Sequence, residues 1–224
     1  MNMNILGRGV YSLSEAARLT RLRPARVRDW FRPVEGDRPG GPVFLSDYSA
    51  VGDDCAISFL DLIEVYIAGR LREATPAVSL QHIRAVHRKM SLETGANHPF
   101  CTREIYHSGG KIFARRLDGN APDSVIEPLT NQAYINAVLV PFLQNIEYDH
   151  VSKLAKLWHI AEGVVIDPGR CFGKPIVNAA GIATRVLAAA YEANGRDTIR
   201  VADWYEIDPS DVEAAVSFET RLVA

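Results

Sequence analysis

The chain has 224 residues, 47% of them hydrophobic, and a formal net charge of -2, the balance of an ordinary soluble globular protein with apolar material for one large or two small cores. No run approaches the roughly eighteen apolar residues of a membrane span. The segment Met1 to Ile5 has neither the basic nor the apolar part of a signal peptide, so the cytoplasm, without membrane contact, is the expected location.

In chain order, the first informative stretch is Tyr11 to Arg32, YSLSEAARLTRLRPARVRDWFR. Ser12 and Glu15 have the S-x-x-E spacing of a capping box, so a helix should start near Leu13. Leu13, Ala16, Ala17 and Leu19 give it an apolar face. Pro24 supplies the fixed φ suited to the start of a second helix, and the short spacing forces the two helices to pack. Val27, Trp30 and Phe31 fall at i, i+3 and i+4 and should be buried, leaving Arg26 and Asp29 outward with Arg28 and Arg32 at the flanks. From Arg18 to Arg32 the arginines are 18, 21, 23, 26, 28 and 32, against the single acid Asp29. On a chain of near-zero net charge this is a local footprint for phosphate. A solvated basic helix pair with no ligand is the plain alternative.

The motif P-x-x-V-R-x-W (Pro24 to Trp30) resembles the start of a MerR-type winged-helix domain. By that resemblance the loop Pro33 to Pro42 leads into an extended wing, Val43-Phe44-Leu45. The segments Ile57 to Glu73 and Val78 to Met90 would be the helices after the wing. It implies that Arg26 and Arg28 sit at DNA and that Arg38 touches its backbone. Read from the residues alone, Phe59, Leu62, Ile63, Tyr66 and Ile67 form a core stripe at helical period. The following helix carries Val78, Ile83, Val86 and Met90. His82 and His87 are five apart rather than four, so they are expected to be solvated and not a metal pair.

The runs TREIYH and KIFARR, split by Ser108-Gly109-Gly110 within Cys101 to Arg116, signal a hairpin. Leu117 to Gln132 reads as a surface loop, and Ile146 to Val151 with Leu154 to His159 as a further strand pair. Cys55, Cys101 and Cys171 are odd in number and outside any CxxC motif or histidine cluster, and read as reduced packing residues. From Val164 to Val177 an apolar strand joins a Gly/Pro-punctuated loop, followed by helices near Thr184 to Glu192, Ile199 to Tyr205 and Pro209 to Leu222.

The combination D-P-x-x-x-F-G-K-P (Asp167 to Pro175) with V-A-x-W-Y-x-I-x-P-x-x-V-x-x-A (Val201 to Ala215) resembles the winged-helix family catalogued as domain of unknown function 433. Pro168, Phe172, Gly173, Pro175, Trp204, Pro209 and Val212 stand at that family's positions. The resemblance departs where members carry a Gly-Thr-Arg-like loop and this chain has Ala179-Ala180-Gly181. It implies an antitoxin of the VapB type, which neutralises PIN-like ribonuclease toxins.

The two second helices decide which one could meet DNA. Pro24 is followed by Arg26, Val27 and Arg28, whereas Pro209 is followed by Asp211, Val212 and Glu213. The acids suit a helix N-terminus but repel phosphate, so the last segment is expected to contact protein.

The expected fold is mainly α with small β elements: two winged-helix or helix-turn-helix-like domains, 1–98 and 161–224, joined by a β-containing connector, 99–160. The expected function is a DNA-binding antitoxin that autorepresses its operon as a homodimer on operator DNA. Arg26 would read a base edge and Arg23, Arg28 and Arg32 would hold phosphates. Arg170, Lys174 and Arg185 would face an acidic, PIN-like ribonuclease toxin. The alternative is a stand-alone MerR-like regulator that senses a small molecule. No P-loop, G-x-S-x-G, H-E-x-x-H or carboxylate cluster of metal spacing is evident, so no enzyme activity, cofactor or metal is expected.

Overall fold

Local chemistry sets the first helices. In the computed structural model, which describes residues 7–32, 41–48, 55–75, 77–102 and 141–223, a short strand β1 (Tyr11–Ser12) runs into α1 (Leu13–Thr20). The Glu15 amide donates to Ser12 Oγ at 3.1 Å, which satisfies one of the helix's free N-terminal donors. The helix stops at Arg21, whose φ of 59° lies in the left-handed region. Leu22 then donates its amide back to the Ala17 carbonyl at 2.9 Å, closing a Schellman-type turn. Pro24 opens α2 (Pro24–Phe31).

The chain forms two units. One comprises Tyr11–Gln144 with Tyr148–Ala155; the other comprises Met1–Val10, Asn145–Glu147 and Lys156–Ala224. In the first, β1 pairs antiparallel with β2 (Ala56–Ile57), Tyr11 opposite Ile57. The long helix α3 (Phe59–Glu73) follows a complete capping box between Ser58 and Asp61. This helix is the centre of the unit, buried around nearly its whole circumference rather than along one stripe. Leu22 approaches it so closely that a Cβ on Gly69 would lie 2.9 Å from Leu22 Cδ1. Arg70 donates to the Thr20 carbonyl at 2.8 Å and so ties the end of α1 to α3. The helix α4 (Leu80–Thr94) is capped by Ser79 and ends at Gly95. Ile83, Val86 and Met90 are buried as the period predicts.

The expected wing strand at Val43-Phe44-Leu45 is not formed. Val43 and Phe44 are buried, and both donate amides to the Trp30 carbonyl, at 2.8 and 3.1 Å. Phe44 meets Trp30, Phe31, His87 and Phe100 ring to ring. Burying a phenylalanine among four rings outweighs the hydrogen bonds of a short exposed strand, so this segment seals the core instead. The rest of the expected wing, Arg38 included, and most of the expected 101–116 hairpin and the 117–132 loop lie outside the described residues.

In the second unit a sheet runs in the order β3 (Ile146–Tyr148), β4 (Ala155–Ala161), β5 (Val164–Ile166), β6 (Pro175–Val177), with β4–β5 and β5–β6 antiparallel. The strands expected near 146–159 are thus present. Three helices follow, α5 (Thr184–Ala193), α6 (Thr198–Tyr205) and α7 (Pro209–Val223), each close to its predicted span. Val177, Leu187, Val201, Ala202, Val212 and Ala215 form their common core. The fold is mainly helical with small antiparallel sheets. No helix among the described residues is long and apolar enough to cross a membrane.

Candidate nucleic-acid interface and a buried ionic cluster

The α1–α2 pair exposes its arginines. Val27 and Trp30 are buried and Phe31 half-buried, which turns the opposite side of α2 outward. Arg18, Arg21, Arg23, Arg28 and Arg32 are exposed and Arg26 is half-buried. Among the described residues none of these six forms an ion pair. Arg23 occupies the N-cap position of α2 without a capping hydrogen bond.

The α6–α7 pair repeats this backbone step for step. It too has an eight-residue first helix, a left-handed residue immediately after it (Glu206, φ 54°), and a proline three positions later. The return bond recurs as well, from the Ile207 amide to the Ala202 carbonyl at 3.1 Å. The charges are opposite. Where α2 has Arg23, α7 has Asp208, which accepts from the Ser210 amide at 2.8 Å; the Ser210 side chain first and its amide second lower the Asp208 carboxyl pKa. An acid at a helix start is electrostatically favourable there, while the same position in α2 carries an unneutralised cation.

The expected cations of the last segment are placed differently from one another. Arg170 pairs with Asp167 at 2.8 Å and donates to Asn178 at 3.2 Å. Lys174 donates to the Val10 carbonyl at 3.1 Å, and Arg185 is exposed. Exposed apolar groups stand out more: Ile199 and Trp204 on α6 are 66% and 60% exposed, with the Arg200 guanidinium 5.1 Å from the Trp204 ring centre. Phe172 is exposed in a loop where Cys171, Phe172 and Gly173 all have positive φ. Cys171 is exposed too, so it is not a packing residue, unlike the buried Cys101.

A second feature lies inside the first unit. Asp61 and Glu64, one turn apart on α3, are buried together with His98 from the segment after α4. The Asp61 carboxylate accepts through Oδ2 from the Ser58 amide at 2.8 Å and the Asp47 amide at 3.2 Å. Glu64 Oε1 faces His87 Nε2 at 2.9 Å and accepts from the Phe100 amide at 3.3 Å. His98 Nε2 meets Asp47 Oδ1 at 3.1 Å, and its Nδ1 lies 3.4 Å from Glu64 Oε2 and 3.8 Å from Asp61 Oδ1.

Burial pushes the Asp61 carboxyl up to about 6, against the pull of its two amide donors and of His98. For His98, burial works to lower the pKa, but hydrogen bonds to Asp47 and Glu64 and the nearby carboxylates outweigh it and raise it to about 10. Burial also opposes ionisation of Glu64, yet its two histidine partners hold it below the usual range. Beside this group a cavity of about 510 Å³ is lined by Leu45, Asp47, Arg84, His87, Arg88 and His98 among others.

Two expectations are corrected here. His87 is not solvated: it is hydrogen-bonded to Glu64 and stacked edge-on against Phe44 and Phe100. A carboxylate and histidine group of metal-ligand spacing also exists, Asp61, Glu64 and His98. The available signal was two acids inside the apolar run ISFLDLIEVYIAG, since a helix apolar on all sides must bury any acid it carries and supply a partner for it.

Residues 164–218 match a protein-family model described as Protein of unknown function (DUF433). The chain is 24% identical to a Mycobacterium tuberculosis protein named "Putative antitoxin VapB45", with 92% of each chain covered. The crystal structure of Rv2018 from Mycobacterium tuberculosis aligns with a TM-score of 0.71 at 20% identity, over 92% of this chain and 96% of that one, which establishes a shared fold. The chain is thus similar, over most of its length, to a protein named a putative antitoxin.

Proposed function

We propose that the chain is a DNA-binding antitoxin whose α2 enters the major groove. The observation that carries this reading is the largely exposed arginine face of a helix-turn-helix, without ion pairs among the described residues, on a chain similar through 92% of its length to a protein named a putative antitoxin. Arg26, half-buried on α2, reads a base edge, and the exposed Arg23, Arg28 and Arg32 hold phosphates. Arg38 touches the DNA backbone. A homodimer on an inverted repeat represses its own operon, in the cytoplasm.

The α6–α7 pair has the same backbone but an acidic second helix, which suits protein contact rather than phosphate. Exposed Ile199 and Trp204 are the residue types that anchor protein interfaces. Arg185, exposed and without an ion pair among the described residues, is the cation offered to the acidic, metal-binding site of a PIN-like ribonuclease, with Arg170 and Lys174 as further candidates.

Two measurements test the reading. The full chain should bind the DNA upstream of its own gene more tightly than random DNA of equal length, and a small ribonuclease should copurify with it from the native host. Equal affinity for both DNAs and purification as a lone chain would refute it.

The cavity beside His98 favours a second reading, a regulator of the MerR type that senses a small molecule, because its volume falls in the range of small-ligand sites. Operator affinity that changes with a metabolite, without a protein partner, would select that reading.

A further inference from the structure

We infer that Asp61, Glu64 and His98 form a binding site for one divalent transition-metal ion, of which zinc is the best match. Each of the three side chains has one polar atom held from outside the trio and one facing its interior, where His98 Nδ1 hydrogen-bonds Glu64 Oε2 at 3.4 Å through a proton that the ion would replace. Asp61 Oδ2 is held by the amides of Ser58 and Asp47, Glu64 Oε1 by His87 and the Phe100 amide, and His98 Nε2 by Asp47. The remaining atoms, Asp61 Oδ1, Glu64 Oε2 and His98 Nδ1, lie within 4.8 Å of one another. Asp61 is 0% exposed and its Oδ1 accepts no hydrogen bond. A buried carboxylate oxygen without a donor is costly, and here it is aimed into the group.

The spacing suits a small ion. Nδ1 is 3.4 Å from Glu64 Oε2 and 3.8 Å from Asp61 Oδ1, and neighbouring ligands of a tetrahedral ion bound at ~2.1 Å stand about 3.4 Å apart. One imidazole and two carboxylates form the donor set of a zinc site with a further position open. The surroundings supply what such sites need beyond the ligands. Asp47 orients the imidazole through its far nitrogen, and His87 steadies Glu64, in the manner of carboxylate–histidine–metal relays. A cavity lined by Asp47, His87 and His98 lies beside the group.

The ion would join α3, the Asp47 segment and the segment after α4. It is independent of the DNA reading, because none of these residues belongs to the arginine face.

The test is a calorimetric titration of the full, chelator-stripped chain with zinc alone, set beside Asp61→Asn and Asp47→Asn. Asp61→Asn keeps an oxygen for the two amides and turns an NH₂ toward His98 Nδ1, so it should stay folded, as circular dichroism would verify. The site predicts one zinc per wild-type chain, loss of that binding in Asp61→Asn, and a 10- to 100-fold weaker affinity in Asp47→Asn. Melting of the wild type, but not of Asp61→Asn, should shift upward with zinc. Wild-type chain that takes up no zinc, or equal uptake by folded Asp61→Asn, would overturn the inference. Should Asp61→Asn fail to fold, Glu64→Gln replaces it under the same two outcomes.

Discussion

At the scale of single residues, Phe44 separates the wing reading from the observed core. A wing residue could be removed with little effect on folding, whereas Phe44 is 1% exposed and meets four rings. Phe44→Ala should therefore cost about 3–5 kcal/mol, seen as a lower urea midpoint at unchanged m-value. A loss below ~1 kcal/mol would return the segment to the surface. Glu64 makes a second case. Removing one partner of a buried ion pair strands the other, so Glu64→Ala should destabilise by about 3–5 kcal/mol, measured in the same way.

These residues were hard to read from sequence for one reason. A stripe of Phe59, Leu62, Ile63, Tyr66 and Ile67 leaves room for a solvated back face, but α3 has none. Its acids had to be matched by partners more than twenty residues away, such as His87 and His98, and such pairing leaves no local spacing. The capping residue Ser12 and the helix-opening Pro24 were legible because both act within their own turn.

At the scale of elements, the two helix-turn-helix pairs share a device. Arg21 and Glu206 each end a helix in the left-handed region without being glycine, a conformation that costs a residue with a Cβ roughly 1 kcal/mol or more. Glu206→Gly should raise stability by about 0.5–1 kcal/mol in denaturant titration. A loss would mean that the Glu206 side chain does more than cap the helix. The matching positions after Pro24 and Pro209 were visible in the sequence together with the reversal of charge, while the equal spacing from helix end to proline emerged from the structure. The strands β1 and β2 were not, since two residues each are too few to show an alternation. The expected strand at Val43-Phe44-Leu45 rested on resemblance, while the four rings that capture Phe44 come from separate parts of the chain.

At the scale of the whole molecule, a formal net charge of -2 conceals an uneven distribution of charge. One helix-turn-helix is basic, its arginines without ion pairs among the described residues, and its structural twin is acidic and carries exposed aromatic surface. If only the basic copy reads DNA, then Asp211→Asn with Glu213→Gln should leave operator affinity unchanged in a gel-shift titration. A large change would move the DNA contact to α7.

The most direct measurement is the salt dependence of operator binding by the wild type and by Arg26→Ala with Arg28→Ala, read by fluorescence anisotropy. The account predicts a loss of a few kcal/mol in specific binding and a slope of log affinity against log salt shallower by roughly 1 for each phosphate contact removed. Affinity and slope equal to those of the wild type would contradict it.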